Sequence, residues 1–174
     1  SDTLLLAGER GYIPMSINLV PRSTLPSHWE AVEEGARRTG LNPNRSDWRI
    51  AREVYVADTT EEAREEALNG VMGRDIQEYF LTLLPKTKQM DMLKTDPDMP
   101  DSEVTLEYMV DNVFIVGSPD DVEYKLRHLY EEVGGFGVLL AMGHEWQPKD
   151  KWVRSMELLA HDVNPRLSDL SPDS

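Results

Sequence analysis

The most apolar run in the chain, Phe136-Gly137-Val138-Leu139-Leu140-Ala141-Met142, leads directly into Gly143-His144-Glu145-Trp146. If the run is a strand of a parallel barrel, the residues beyond its C-terminal end face the catalytic mouth. His144 titrates near neutrality, so it is a candidate acid or base there. Glu145 stands beside it as the second candidate catalytic group, and Trp146 offers a stacking surface; an ordinary strand-to-helix loop is the alternative. Ser1 and Thr3 start the chain on a helix N-terminus, where hydroxyls and free backbone N–H groups could bind an anion or simply cap the helix. Arg52 shares strand parity with Val54 and Val56, which points it into a barrel interior and calls for an ion pair with an absent strand. Asn18, near the end of the first strand, is a candidate of the same type. Other chemistries are excluded. The absence of cysteine removes disulfides, iron–sulfur clusters, thiolate zinc and cysteine nucleophiles. His28, His128, His144 and His161 lack metal-ligand spacing, and neither a phosphate-cradling glycine loop nor a Gly-x-Ser-x-Gly elbow occurs.

The positioning elements alternate. Residues 14–20 read as a strand, with Pro14 at its start. A capping box at Ser27 and Glu30 predicts a helix to Thr39 that buries Trp29, Val32 and Ala36. Residues 48–57 read as one strand, followed by a long helix capped at Asp58-Thr59-Thr60 and continuing through Leu84. Residues 86–103, with prolines and lysines interleaved with aspartates, read as an irregular insertion that holds Lys86 and Lys88. A short helix near 104–110 follows. Phe114-Ile115-Val116-Gly117 then leads into Ser118-Pro119-Asp120-Asp121, a helix start with proline at its first position and acids behind. The run at 136–142 predicts a strand buried on both faces. A last helix spans 148–163, and residues 168–174 read as a frayed tail.

The composition supports one ordinary domain over residues 1–174: 40% hydrophobic, 29% charged, and a net charge of −14. That acidity argues against a nucleic-acid partner and against an anionic membrane surface. No run is long enough for a membrane span, and no basic-then-apolar leader is visible; the lack of cysteine suits a reducing cytoplasm. About three parallel strands with flanking helices place the chain in the α/β class. They fit a small open sandwich or the C-terminal part of a (β/α)8 barrel, and either leaves sheet edges that predict a homo-oligomer. A start on a helix cap is consistent with a trimmed tag or with the loss of a larger domain's first half.

Ser1-Asp2-Thr3, Ala7-Gly8-Glu9-Arg10-Gly11-Tyr12-Ile13-Pro14-Met15, Val56-Ala57-Asp58-Thr59-Thr60-Glu61-Glu62-Ala63, Gly117-Ser118-Pro119-Asp120-Asp121-Val122, and the segments Ser155–Ala160 and Val163–Leu167 occur in an order and spacing that resembles the bacterial-luciferase-like flavin monooxygenases. The likeness leans to the limonene-monooxygenase-like branch. It implies a (β/α)8 TIM barrel of which this chain holds the C-terminal half, with a missing N-terminal half as its partner. It also implies a reaction in which reduced FMN and dioxygen oxygenate a small-molecule substrate, with the flavin supplied by a separate flavin reductase. A deazaflavin, F420, is the alternative cofactor, and a non-catalytic, self-associating half-barrel is the alternative function. By the same resemblance Ser1 and Thr3 stand where the family holds the FMN phosphate. The insertion with Lys86 and Lys88 stands where it carries a mobile lid, and His144 and Glu145 stand at the mouth after the eighth strand.

Overall fold

A computed structural model describes residues 1–170; the last four residues of the expected tail lie outside it. In chain order the elements are α1 (Asp2–Arg10), β1 (Met15–Ser16), α2 (Leu25–Thr39), β2 (Arg49–Arg52), β3 (Val54–Val56), α3 (Thr60–Asn69), α4 (Val71–Asp75), α5 (Leu81–Leu83), α6 (Leu106–Asn112), β4 (Ile115–Gly117), α7 (Pro119–Val133), β5 (Val138–Ala141) and α8 (Lys149–Glu157). All strand pairs are parallel. β1, β2 and β5 form one sheet in the order β1-β2-β5, and β3 pairs with β4 in a second. The expected α/β architecture with parallel strands is therefore present.

The register assigns the faces. Ser16, Ile50 and Leu139 lie side by side, and Ile50 packs with Trp29 and Val32 of α2, so this is the helix-covered face. Met15, Arg49 and Val138 line the other face, where Met15 is 53% and Val138 39% exposed. The expectation that residues 136–142 are buried on both faces is therefore corrected. β5 is an edge strand of a sheet whose second face is uncovered, and its residues range from half-buried to exposed.

Four further expectations change. Residues 48–57 are not one strand, because the partner switches at Glu53. The ladder to β5 ends at the pair Arg52–Ala141, and the ladder to β4 begins at Val54–Ile115. β4 was not expected as a strand; its three buried residues give no alternating signal. The long helix is broken at Gly70, in extended conformation with ψ −167°, and then passes through a π-helical stretch at Ile76–Phe80 into α5. α2 starts at Leu25, before the expected capping box: a turn at Arg22–Thr24 runs straight into it, and the Ser27 hydroxyl donates backward to Thr24 O at 2.6 Å.

α1 and α2 pack parallel and nearly backbone to backbone. A Cβ on Gly8 would lie 2.0 Å from Val32 O, and one on Gly35 would lie 2.0 Å from Leu5 O. Glu9 pairs with Arg38, and Gly11 abuts Leu41, so residue numbers rise together along both helices. α7 begins as expected, with Ser118 and Asp121 forming a reciprocal capping box, and buries Val122, Leu126, Leu129 and Val133. The insertion is tied down: Met90 and Leu93 are buried in the core with Met72 and Met109, and Lys94 pairs with Asp91 and Asp101. Among the described residues no helix is long and apolar enough to cross a membrane.

Candidate active site

The partner switch at Glu53 opens a fork. Beyond Arg52 the strand leans toward β4, while the β5 chain makes one more ladder bond, Met142 N to Arg52 O at 2.9 Å, and then departs. His144 bridges the gap. Its Nε2 lies 2.6 Å from Glu53 Oε2, and its Nδ1 lies 3.0 Å from Asp75 Oδ2 at the end of α4. Asn18, just past β1, donates its side-chain amide to the other Glu53 oxygen. Arg74 donates to Asp75 Oδ1 and to Glu145 Oε2, each at 2.9 Å. The His144 ring rests against Trp152 of α8, with centroids 5.8 Å apart. The C-terminal ends of β1 and β2, the loop after β5 and the end of α4 thus converge on one hydrogen-bonded network.

The electrostatics follow from this contact set. Glu53 is only 1% exposed, so its charge is stable only with partners on both oxygens, which Asn18 and His144 supply. Burial alone would lower the His144 pKa; hydrogen bonds and attraction from Glu53, then Asp75, outweigh it and raise the imidazole above its ordinary value. Burial would raise Asp75, but hydrogen bonds from His144 and Arg74 bring its carboxyl below the usual range. The two carboxylates therefore favour the protonated form of His144.

A second polar cluster lies toward the starts of the two parallel helices. His28, in the first turns of α2, shares the Ser16 hydroxyl with Trp48; His28 Nδ1 and Trp48 Nε1 each lie 3.0 Å from Ser16 Oγ. Burial first, and then the nearby Arg52 charge, lowers the His28 pKa. With the two helices parallel, the start of α1 sits beside the start of α2, on the side of the sheet where β1 ends. Arg52 does not enter the open face, and among the described residues its guanidinium bonds no carboxylate. It shares parity with Ile50 on the helix-covered face, and its Nη1 donates to the carbonyls of Ile17, Asn18 and Ala51. Nη2 has no hydrogen-bond partner among the described residues, and burial pushes the guanidinium down to about 10.

Of the candidates, Asn18, His144 and Glu145 are brought into one network. Trp146 stays outside it, 43% exposed. Ser1 and Thr3 are exposed at the start of α1, and Ser1 makes no side-chain capping bond. Lys86 and Lys88 are exposed on the turn after α5. Glu53, Arg74 and Asp75 were missed. For Glu53 a signal existed: it sits beside Arg52 within an otherwise apolar strand segment, where an acid needs a partner. Asn69-Gly70 was a readable helix stop, but nothing local marked Arg74 and Asp75, whose partner His144 lies 69 positions from Asp75.

The family profile described as luciferase-like monooxygenase matches residues 1–135. The chain belongs to this family. It is 34% identical over 168 residues to 3,6-diketocamphane 1,6-monooxygenase of Pseudomonas putida, covering 96% of this chain and 44% of that relative. It is 29% identical over 172 residues to limonene 1,2-monooxygenase of Rhodococcus erythropolis, covering 96% and 42%. Among solved structures, the oxygenating constituent of the Pseudomonas putida 3,6-diketocamphane monooxygenase, a type II Baeyer–Villiger monooxygenase in complex with FMN, superposes with a TM-score of 0.87 at 34% identity; the match covers 98% of this chain and 46% of that one. The coenzyme F420 dependent tetrahydromethanopterin reductase of Methanopyrus kandleri shares the fold, with a TM-score of 0.56 at 19% identity, covering 94% and 47%. The chain thus spans less than half the length of these relatives, as a partial (β/α)8 barrel of this family does.

Proposed function

We propose that this chain forms the C-terminal half of an FMN-dependent monooxygenase that uses reduced FMN and dioxygen to oxygenate a small organic substrate. The observation that carries the reading is the near-complete superposition, at 34% identity, on an oxygenating subunit solved with FMN. The chain's own residues suit that cofactor. The first turn of α1 presents backbone N–H groups and the Ser1 and Thr3 hydroxyls, Ser1 not being used in capping. These groups would hold the phosphate. The flavin, when bound, supplies the oxygen-activating chemistry. His144 and Glu145 stand at the mouth, where the neighbouring carboxylates favour a proton on His144. Asn18 fixes the acid beneath it, Trp146 offers a flat apolar surface to substrate, and the insertion with Lys86 and Lys88 covers the entrance. The N-terminal half of the barrel would close the exposed face of the sheet, and a separate reductase would deliver reduced FMN.

The test uses the full-length protein. Titration with reduced FMN followed by oxygen uptake is expected to show saturable binding and uptake that rises with a ketone or terpene substrate. A protein that binds no FMN overturns the reading. Uptake or reduction that requires a reduced deazaflavin instead would move it to that cofactor.

A further inference from the structure

We propose that Glu53 and Asp75 are positioning residues that grip His144 from both sides, so that Glu53–His144–Asp75 is a charged latch fixing α4 and the start of the insertion at the mouth. The latch is a property of the geometry. A neutral imidazole carries one N–H, yet both ring nitrogens of His144 face carboxylate oxygens, at 2.6 and 3.0 Å. Only the imidazolium donates to both. Glu53 is buried at the fork, and its other oxygen is already taken by Asn18, so it is anchored to the sheet. Asp75 is the more exposed side: its side chain is 35% exposed and it ends the five-residue helix α4, cut off from α3 at Gly70. Through that helix the latch reaches Ile76–Phe80 and α5, the segment from which the insertion departs.

The groups facing His144 give the sign of its pH response. Glu53 comes from the β2–β3 fork, Asp75 and Arg74 from α4, Glu145 from its own loop, and from α8 only the uncharged Trp152 ring. Arg74 joins Asp75 to Glu145 and so partly offsets the carboxylates. Deprotonating His144 leaves one carboxylate facing a lone pair, and the more exposed one, Asp75, is the one free to move away. The consequence for the mouth rests on the monooxygenase reading above; the latch itself does not.

The experiment measures the full-length protein without flavin, so a failed latch and a failed cofactor assignment remain separate. Nitrogen NMR of the histidine rings is expected to show His144 protonated on both nitrogens at pH 7. E53Q is expected to lower its midpoint by a unit or more, about a tenfold loss of preference for the charged ring. Hydrogen exchange over residues 71–83 is expected to accelerate about tenfold in E53Q and H144Q alike, with the double variant no faster than either, as one shared interaction requires. If E53Q fails to fold, D75N reads the same latch from its exposed side and is expected to lower the midpoint and loosen 71–83. A single neutral tautomer in the wild type at pH 7 overturns the proposal. So does exchange in 71–83 that D75N and H144Q leave unchanged.

Discussion

At the scale of single residues, His144 shows how two carboxylates override burial. Burial lowers an imidazole pKa, while Glu53 and Asp75 raise it, and the raising contacts win. A histidine raised in the folded state contributes stability that is fully present below its unfolded value of 6.5 and is lost as pH climbs through the higher folded value. The wild type is therefore expected to exceed H144Q in urea midpoint by more at pH 6 than at pH 9; equal differences at both pH values would contradict the charged ring. Ser118 offers a simpler case. Its hydroxyl receives Asp121 N while the Asp121 carboxylate answers at the Ser118 backbone, so S118A is expected to cost about 1 kcal/mol by denaturant titration. This cap was legible in the residues Ser118-Pro119-Asp120-Asp121, because a capping box is local chemistry. The partners of His144 were not, because they arrive from residues 91 and 69 positions away.

At the scale of elements, what was legible and what was not divides by the range of the forces. The apolar stripes of α2 and α7 were readable, since periodicity alone places Trp29 with Val32 and Leu126 with Leu129 on one side. The fork at Glu53 was not, because a strand that changes partners keeps the same residue pattern while its neighbours change. The close packing of α1 on α2 was equally hidden. Gly8 and Gly35 look like weak points in two helices, and only the contact explains them. Each hydrogen faces the other helix's backbone, so G35A must push α1 away from α2. The expected cost is about 3 kcal/mol, read as a lowered midpoint of unfolding. Because the start of α1 is placed by this contact, the same variant in the full-length protein is expected to weaken FMN binding. A G35A protein with wild-type stability would show that the helices can part freely.

At the scale of the whole molecule, the sheet is finished on one face only. Helices α2 and α7 cover the face bearing Ile50, while Met15, Ile17 and Val138 stand exposed on the other, and β1 and β5 are edges. Beside β5 an apolar groove of about 630 Å³ opens between α7 and the end of α8 with the residues that follow it, lined by Phe136, Leu139, Met156 and Leu159. Unpaired parallel edges and exposed aliphatic side chains lower their free energy by meeting more sheet. In a closed barrel that sheet belongs to the other strands, and β1 and β5 would each gain a neighbour. The 174-residue chain alone has only copies of itself, so light scattering is expected to give a mass above 19.8 kDa that grows with concentration. Co-expression with the N-terminal half as a separate chain is expected to replace that association with a defined one-to-one complex, since the complementary edges pair strand to strand while two copies cannot match curvature and direction at once. A heat-stable monomer of the 174-residue chain, unfolding in a single transition, would show that its own residues satisfy both edges and would remove the need for a second half.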